Sequence, residues 1–412
     1  MSETTLGING LGRIGKLTVW NEVSERRFQR LVVNVGREVG RNVDDIVQYL
    51  ETDSTYGSLG VFLHGNKGPA RCIRVVQSKP PVLDIEGIRV EILTEHRNPR
   101  EIGWGAHGVD LVVDTTGAFL DPSLPSDHPR GSLRGHLEAG ARAVVLSAAF
   151  KVKGLQGRWP DDAAMFIYGI NHHAFDPGVH SMVSAASCTT TALAHMMLPL
   201  LNHELTRNML TAAMSTIHAA TNSQSVLDSV PKAGAKDLRK TRSALNNIIL
   251  TSTGAARALE HVIPTIRDIG FIADSVRVPI PTASLIILNC TFQTELDERG
   301  DSVIRRETLN EIYRRYAELP DSGVVYSERQ NVSTDMIGHE AAVTIEAVET
   351  HTRTGMLRID LGKLRLPGLE GTPPSAEVPV THAKIAGWYD NELGSYTRRM
   401  SKLCHHIADS LE

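Results

Sequence analysis

A glycine-rich loop near the start of the chain constrains the fold more than any other stretch. Residues 4–9 read as a short buried strand, Gly10-Leu11-Gly12-Arg13-Ile14-Gly15 follows, and a helix is predicted to about Val23, before a second strand at residues 31–35. Glycines at this spacing permit a tight turn and a close approach of the main chain to a pyrophosphate at the helix N-terminus. The order strand, loop, helix, strand predicts a dinucleotide-binding domain. The alternative is a glycine-rich turn that holds no ligand.

The end of the second strand bears on the choice of cofactor. An acidic residue is expected about 20 positions after the glycine loop, where its carboxylate would hold the 2′-hydroxyl of NAD and repel a 2′-phosphate. Val35 and Gly36 stand there instead, followed by Arg37. NAD and NADP therefore both stay open, and Arg37 is either a phosphate ligand or a solvated turn residue.

The pattern of the following residues predicts a twisted, mostly parallel sheet. Strand-like runs lie at 73–77, 88–93, 109–114 and 143–147, with helical patterns around 42–50 and 131–139. Asp114-Thr115-Thr116-Gly117 ends one such strand, and doubly wound sheets bind ligands at the carboxyl ends of their strands. A C-terminal helix is predicted from Asn391, and the Gly- and Pro-rich stretch 362–380 is predicted to be a surface excursion.

Composition narrows the class of protein. The chain has 412 residues, enough for two or three domains, and a formal net charge of −4, which argues against a nucleic-acid or membrane-surface partner. No apolar run approaches the roughly 20 residues of a membrane span, and no signal peptide is expected ahead of the first strand. The cysteines are far apart and form no metal-type pair, which favours a reduced cytoplasm and predicts no metal: Cys72, Cys188, Cys290 and Cys404.

Cys188 is the candidate nucleophile. It lies in Ser184-Ala185-Ala186-Ser187-Cys188-Thr189-Thr190-Thr191, and apolar residues at helical spacing follow it. Cys188 is therefore predicted at or just before a helix N-terminus, where unpaired N–H groups and the helix dipole favour a thiolate. A small buried cysteine that begins a core helix is the alternative.

A cysteine nucleophile needs a base or a cationic partner. His218 ends a strand predicted from Leu210 to Ile217 and is the best candidate among 17 histidines, with a structural histidine as the alternative. Hydroxyl groups and cations in the same half resemble two anion pockets, with capping or surface roles as the alternative: Thr189, Thr221, Lys240, Ser252-Thr253-Gly254 and Arg277. A dinucleotide domain followed by these groups points to aldehyde oxidation through a thioester.

Those residues carry a resemblance to a known family. The sequence resembles phosphorylating glyceraldehyde-3-phosphate dehydrogenase over nearly its full length. The matching stretches, which occur in one order, are Gly7-Ile8-Asn9-Gly10-Leu11-Gly12-Arg13-Ile14-Gly15, Asp53-Ser54-Thr55-Tyr56-Gly57, Ser187-Cys188-Thr189-Thr190, His218-Ala219-Ala220-Thr221, Ser252-Thr253-Gly254-Ala255-Ala256, Arg277-Val278-Pro279 and Trp388-Tyr389-Asp390-Asn391-Glu392.

The resemblance implies an α/β fold with two domains. An N-terminal Rossmann dinucleotide-binding domain would occupy residues 1–187, joined by the C-terminal helix 391–412, and an α+β catalytic domain with a large mixed sheet would occupy 188–390. The resemblance also implies a homotetramer that uses NAD or NADP without a metal. Its substrates would be glyceraldehyde 3-phosphate and inorganic phosphate, and its product 1,3-bisphosphoglycerate.

The resemblance also implies roles for individual residues. Cys188 would attack the aldehyde as a thiolate, and His218 would act as the base. Thr221, Lys240 and Arg277 would hold the substrate phosphate, whereas Ser187, Thr189, Thr253 and Gly254 would serve the attacking phosphate. The cofactor-lining positions would be Gly10, Gly12, Arg13, Ile14, Gly15, Arg97, Thr116, Ser147 and Asn391, the last of which would fix the nicotinamide carboxamide.

Several positions depart from the family pattern. Val35 replaces the adenosine-ribose aspartate, Leu393 and Ser395 replace a usual Trp and Tyr, and the stretches 222–243 and 351–387 are longer than usual. The nearest alternative is erythrose-4-phosphate dehydrogenase, which shares the cysteine–histidine chemistry but usually lacks the pattern Ser252-Thr253-Gly254. A non-catalytic nucleotide-binding descendant is the alternative from another class, against which the intact Cys188, His218 and Arg277 argue.

Overall fold

The chain divides into two compact units. The computed structural model describes residues 5–152, 158–222, 224–364 and 374–412. The first unit comprises the described residues up to Thr191, with Ile337–Glu340 and Asp390–Glu412, and the second comprises Ala192–Met336 and the described part of Ala341–Tyr389. The functional division predicted above, at residues 187 and 391, stays a prediction.

The helices and strands of the described residues are numbered in chain order. The α-helices are α1 (Arg13–Glu25), α2 (Val43–Glu51), α3 (Leu59–His64), α4 (Leu133–Glu138), α5 (Cys188–Asn202), α6 (Ala255–Val262), α7 (Arg306–Ala317) and α8 (Arg398–Leu411). The strands are β1 (Thr5–Asn9), β2 (Arg30–Asn34), β3 (Thr52–Asp53), β4 (Gly57–Ser58), β5 (Ile73–Ser78), β6 (Pro81–Ile85), β7 (Ile88–Leu93), β8 (Val109–Asp114), β9 (Ala143–Leu146), β10 (Ala163–Met165), β11 (Met182–Ser184), β12 (Met209–Ala219), β13 (Ile249–Thr251), β14 (Gly270–Val278), β15 (Ser284–Gln293), β16 (Val324–Ser327), β17 (Val343–Glu346), β18 (His351–Asp360) and β19 (Ser375–Tyr389). In this part of the chain no helix has both the length and the apolar character to span a bilayer.

The first unit is built on a nine-stranded sheet. Its strand order is β10-β11-β9-β8-β1-β2-β7-β6-β5, and β1 runs parallel to both β2 and β8. Leu6 and Ile8 of β1 are fully buried in a core that also contains Leu403 and Ile407 of α8. The carboxyl ends of β1, β2 and β8 share one edge, so the glycine loop begins where ligands of such sheets bind.

The second unit is built on a mixed sheet in the order β13-β14-β12-β15-β19-β17-β16, with β18 paired to β19. β12 is parallel to β14 and antiparallel to β15. The register pairs His218 of β12 with Arg277 of β14, and Arg277 in turn with Ile249 of β13. His218 and Arg277, which are 59 positions apart in the sequence, are therefore neighbours on adjacent strands.

The structure adds detail to one sequence-based prediction of local structure. The stretch 362–380 was predicted to be a surface excursion, and its residues from Ser375 onward begin β19, pair with β18 from Asp360 backward and are half-buried or exposed up to residue 379. Residues 365–373 lie outside the described residues. Composition did not predict the strand at 375–380, because pairing with β18 determines the conformation there.

Candidate active site

The glycine loop joins the end of β1 to the start of α1. Gly10 has a left-handed φ of +99°, and its N–H donates to the carbonyl oxygen of Asn34 at 2.8 Å. A Cβ at Gly15 would lie 2.0 Å from the carbonyl oxygen of Gly10, whereas a Cβ at Gly12 would meet nothing within 4 Å. The first helical hydrogen bond runs from Lys16 N–H to the Gly12 carbonyl, so the N–H groups of the first three residues of α1 precede the helical hydrogen-bond ladder and can hold an anion.

A buried polar network holds the strand ends beneath this loop. Asn34 Nδ2 donates to Asn9 Oδ1 at 2.8 Å, and Asn9 Nδ2 donates to Asp114 Oδ2 at 2.8 Å. His136 Nε2 lies 3.1 Å from the same carboxylate oxygen, while Trp104 Nε1 donates to His136 Nδ1 at 2.9 Å. Since Trp104 occupies Nδ1 as an acceptor, the ring proton of His136 belongs on Nε2 and points at Asp114.

Two predicted cofactor residues are placed by Asp114. The main-chain N–H and hydroxyl of Thr116 both donate to Asp114 Oδ1, at 3.0 and 2.7 Å, and Ser147 N–H donates to the Asp114 carbonyl at 2.9 Å. Thr115 donates from its hydroxyl to the carbonyl oxygen of Gly10 at 2.8 Å. The structure thus brings Thr116 and Ser147 to the edge where the glycine loop begins.

A cavity of about 520 Å³ lies beside the loop within the first unit. Its lining comprises Leu11, Gly12, Val35, Arg37, Val39, Gly40, Asp45, Ile46 and Tyr49. Arg37 takes part in none of the described ion pairs, whereas Asp45 is paired with Arg41, whose hydrogen bonds lower the pKa of that carboxyl. Arg97 approaches the same corner, with Nε donating to the Gly36 carbonyl at 3.2 Å. Among the described residues, therefore, the cavity holds the Arg37 cation with no ion-pair partner, on a lining that also includes Val35.

The Arg13 guanidinium forms ion pairs with two carboxylates of the first unit. It pairs with Asp53 and donates through Nε to Glu392 at 2.7 Å, and Lys16 also lies 2.7 Å from Asp53. Burial acts to raise the pKa of Asp53, but hydrogen bonds from Lys16 and two main-chain N–H groups bring it below its ordinary value. Burial raises the pKa of Glu392 despite the Arg13 contact. These pairs leave the main chain of Arg13 and Ile14 as the part that can meet a cofactor.

Asn391 lies within the same cluster. Tyr56 donates from its hydroxyl to Asp390 Oδ1 at 2.7 Å, and the N–H of Gly338 donates to Asp390 Oδ2 at 2.7 Å. Asn391 is buried between these anchored acidic neighbours. Within the first unit, Tyr56 therefore contacts Asp390, and Arg13 links Asp53 to Glu392, although these residues are far apart in sequence.

Cys188 is the first residue of α5 and follows a strained turn. Ala186, fully buried, has a φ of +57°, a region that a residue with a Cβ rarely adopts. Ser187 caps the helix: its hydroxyl accepts from Thr190 N–H at 3.2 Å and lies 2.8 Å from the Thr190 hydroxyl. Thr189, the next residue, is buried. Such strain persists where the surroundings enforce it, commonly at functional sites.

His218 and Arg277 are in direct contact in the second unit. The Arg277 guanidinium lies against His218 Nδ1 and donates to the Ala219 carbonyl at 3.0 Å, and Nδ1 lies 2.8 Å from that carbonyl. Burial, followed by the charge of Arg277, lowers the pKa of His218 to about 3. At neutral pH the ring is therefore uncharged, the form of the side chain that can accept a proton.

Sequence reasoning missed the role of Tyr389. Its ring packs edge-on to His218 at a centroid distance of 6.1 Å, and its hydroxyl lies 2.9 Å from the Thr216 hydroxyl. Tyr389 is 1% exposed, so its contact contributes to the burial that keeps His218 uncharged. Tyr389 lies within the motif Trp388-Tyr389-Asp390-Asn391-Glu392, but no sequence pattern predicts its contact with His218.

The remaining predicted anion ligands lie at strand and helix ends of the second unit. Thr221 follows β12 and donates from its N–H to Gln224 at 3.0 Å. Lys240 is exposed in the short turn Leu238–Thr241, which precedes the β13 end facing Arg277. Thr253 accepts from Ala255 N–H at 3.2 Å, and Gly254 caps α6 with open space around its Cα. Only His218 and Arg277 of the predicted second-unit set have a described contact with each other.

The strand edge, the glycine loop and the adjoining cavity define the first unit as a Rossmann-type dinucleotide-binding domain. Family models agree: residues 4–122 match the glyceraldehyde 3-phosphate dehydrogenase NAD binding domain, and residues 187–360 match the C-terminal domain of the same family. The chain is 32% identical over 403 residues to the glyceraldehyde-3-phosphate dehydrogenase of Kitasatospora aureofaciens, covering 97% of this chain and 98% of the relative. It is 31% identical over 408 residues to that of Priestia megaterium and 30% to glyceraldehyde-3-phosphate dehydrogenase 1 of Bacillus subtilis, each covering 98% of both chains.

The chain belongs to the glyceraldehyde-3-phosphate dehydrogenase family, whose members are oxidoreductases. The predicted fold class, a Rossmann domain with an α+β domain on a large mixed sheet, is confirmed.

Proposed function

We propose that this chain is a phosphorylating glyceraldehyde-3-phosphate dehydrogenase, which oxidises glyceraldehyde 3-phosphate to 1,3-bisphosphoglycerate with NAD or NADP. The observation that carries the proposal is Cys188 at the first position of α5, two residues after the strained Ala186. The helix dipole and the main-chain N–H groups of a helix N-terminus favour the thiolate form, which is the nucleophile. A buried, uncharged histidine in the second unit supplies the base that such chemistry requires.

In the proposed reaction the Cys188 thiolate bonds through Sγ to the aldehyde carbon, the carbonyl π bond breaks, and its oxygen takes up a proton from solvent to give a hemithioacetal. His218 accepts the hydroxyl proton as that carbon loses a hydride, for which a bound nicotinamide cofactor supplies the acceptor. Inorganic phosphate then attacks the thioester carbon, the C–S bond breaks, and the thiolate is restored.

Charge distribution supports the proposed phosphate ligands. Arg239 and Arg242 pair with Asp237 and Asp228, whereas Lys240 takes part in none of the described ion pairs. Arg277 presents a guanidinium that binds phosphate through directed hydrogen bonds, and Thr221 follows at the end of β12. Ser187, Thr189, Thr253 and Gly254, at the starts of two helices, are proposed to serve the attacking phosphate.

Steady-state assays test the proposal. We expect turnover of glyceraldehyde 3-phosphate that requires inorganic phosphate, with erythrose 4-phosphate as the poorer substrate. Faster turnover of erythrose 4-phosphate without a phosphate requirement would assign the alternative dehydrogenase. Lack of turnover of both aldehydes, in a chain that binds a nicotinamide cofactor, would favour a non-catalytic descendant.

The first-unit cavity supports use of NADP beside NAD. Val35 places no carboxylate there to repel a 2′-phosphate, and Arg37 lines the same cavity. An arginine–phosphate contact that is partly exposed is worth about 1–3 kcal/mol. Val35→Asp should therefore raise the ratio of NAD to NADP in kcat/KM, whereas Val35→Asn, of equal size but uncharged, should leave the ratio nearly unchanged. If the wild type, Val35→Asp and Val35→Asn all show the same ratio of NAD to NADP in kcat/KM, another group determines the choice of cofactor.

A homotetramer is part of the same proposal. Apolar side chains on the second-unit sheet, Leu250 at 59% and Ile272 at 72% exposure, support a covered face. Light scattering on the purified chain should give four times the monomer mass, and a monomer at assay concentration would contradict this.

A further inference from the structure

The first unit gathers three metal-ligating side chains away from the candidate active site. His64 ends α3, Cys72 immediately precedes β5, and Glu86 lies in the turn between β6 and β7. One ligand atom from each, the imidazole nitrogen, the sulfur and a carboxylate oxygen, lies within 4.8 Å of the other two. His64 Nε2 and Glu86 Oε1 are 3.4 Å apart. We propose that this His64–Cys72–Glu86 cluster binds a divalent cation of the zinc type.

The donor set and its dimensions suit such an ion. Thiolate, imidazole and carboxylate are the ligands that Zn²⁺ prefers, at about 2.3, 2.0–2.1 and 2.0–2.2 Å. Tetrahedral coordination at those lengths places ligand atoms roughly 3.3–3.6 Å apart. The histidine–glutamate separation already has this value, and the Cys72 sulfur lies within 4.8 Å of both ligand atoms.

Charge around the cluster is favourable for a cation. A thiolate, a carboxylate and a neutral imidazole together balance a charge of +2. Glu51 adds a further carboxylate at the site, since its Oε1 accepts from the N–H of Cys72 at 3.2 Å and of Ile73 at 3.3 Å. The Arg26 guanidinium donates to the main-chain carbonyl of Glu86 at 2.7 Å and so fixes the turn.

The turn itself is built in an unusual way. Glu86 has a φ of +54° and Gly87 a φ of +89°, the conformation of a two-residue hairpin turn in which Asn, Asp or Gly normally precedes glycine. Glutamate carries a cost there, and its carboxylate is the group that faces His64 and Cys72. A bound ion would tie α3 to the β5–β6–β7 edge of the sheet and leave one coordination position for water.

Cobalt titration tests the proposal. The full-length chain is stripped of metal and carries Cys188→Ser, so that the candidate nucleophile cannot bind the ion. We expect one Co²⁺ per chain, with a thiolate-to-cobalt charge-transfer band that Zn²⁺ abolishes by displacement. Adding Cys72→Ser should remove the band, and adding His64→Gln or Glu86→Gln should weaken binding at least about 10-fold.

A matched control is His96→Gln. His96 is also exposed and lies 3.7 Å from carboxylate oxygens of Glu95 and Glu101, but it is not part of the cluster. It should leave Co²⁺ affinity unchanged. Circular dichroism checks folding, and if Cys72→Ser fails to fold, Glu86→Gln decides. An unchanged charge-transfer band in the Cys72→Ser chain, or equal losses for His64→Gln and His96→Gln, would overturn the proposal.

Discussion

The glycine loop of the first unit and the His218 region of the second unit are built from different parts of the chain. In the loop, the functional groups are main-chain N–H groups, and glycines supply the space. Around His218, the functional groups are side chains from β12, β14 and β19, whose positions depend on strand register. A main-chain site is sensitive to added volume, whereas a side-chain site is sensitive to lost charge and lost contacts.

Substitution of Cys188 should have the largest effect on activity, because this residue combines a reactive side chain with the main-chain N–H groups of a helix N-terminus. We expect Cys188→Ser to lower kcat/KM roughly 10⁴-fold or more, since a serine hydroxyl has no accessible anionic form at this pH. The loop should be unaffected, so the cofactor Kd should stay within about twofold. Measured activity above a few per cent of wild type would remove Cys188 from the mechanism.

His218→Asn should have the next largest effect. Loss of a general base typically costs roughly 10²–10⁴-fold in rate, and stopped-flow measurement of the hydride-transfer step would report it. Because the pKa of His218 is about 3, kcat/KM of the wild type should show no acid limb from this residue near pH 6.5. An acid limb at pH 6–7 that disappears in His218→Asn would contradict the buried, uncharged state.

The low pKa of His218 also predicts the direction in which the free energy of unfolding changes with pH. The folded value, about 3, lies below the ordinary 6.5, so the unfolded chain binds the proton between these limits and the free energy of unfolding falls as the pH drops from 6.5 towards 3. At about 1.4 kcal/mol per pKa unit the upper bound is about 4–5 kcal/mol. Denaturant titrations should show a weaker pH dependence in His218→Asn than in the wild type over this range.

Substitution of Arg277 should distinguish a loss of phosphate binding from a loss of catalysis. Arg277→Leu should cost about 2–4 kcal/mol in kcat/KM for glyceraldehyde 3-phosphate, because leucine cannot replace the hydrogen bonds to phosphate. For unphosphorylated glyceraldehyde, kcat/KM should fall less. That smaller fall reports the loss of the contact between Arg277 and His218, whose pKa should rise once the cation is gone.

Arg277→Lys, which keeps the charge, and Arg239→Leu, on an exposed arginine paired with Asp237, are the matched controls. Lysine should preserve the low pKa of His218 but only part of the phosphate affinity, and Arg239→Leu should leave both aldehydes unaffected. Equal losses for the two aldehydes in Arg277→Leu would indicate a structural defect and take Arg277 off the list of phosphate ligands.

The two regions also differ in how far sequence reasoning reaches. The loop and the start of α5 could be predicted because their signals are local: glycines at fixed spacing, and Cys188 directly before a helical pattern. The contact between His218 and Arg277, 59 positions apart, depends on the pairing of β12 with β14, which no local pattern specifies. The same holds for the Arg13–Asp53 pair and for the His64–Cys72–Glu86 cluster, which a search for paired cysteines passes over.

The smallest effects should come from a matched pair of glycine substitutions that tests the main-chain construction of the loop. In Gly15→Ala the new Cβ would lie 2.0 Å from the Gly10 carbonyl oxygen, so helix and loop must separate; we expect a loss of stability of about 1–3 kcal/mol together with weaker cofactor binding. In Gly12→Ala the Cβ enters open space, and the residue's φ of −78° suits alanine, so the free energy of unfolding should change by less than about 1 kcal/mol. Because Gly12 lines the cavity, its methyl group should still raise the cofactor Kd. Denaturant unfolding and cofactor titration separate the two effects: if Gly12→Ala binds the cofactor as the wild type does, the pyrophosphate does not approach the main chain at Gly12, and the loop is a turn that only joins β1 to α1.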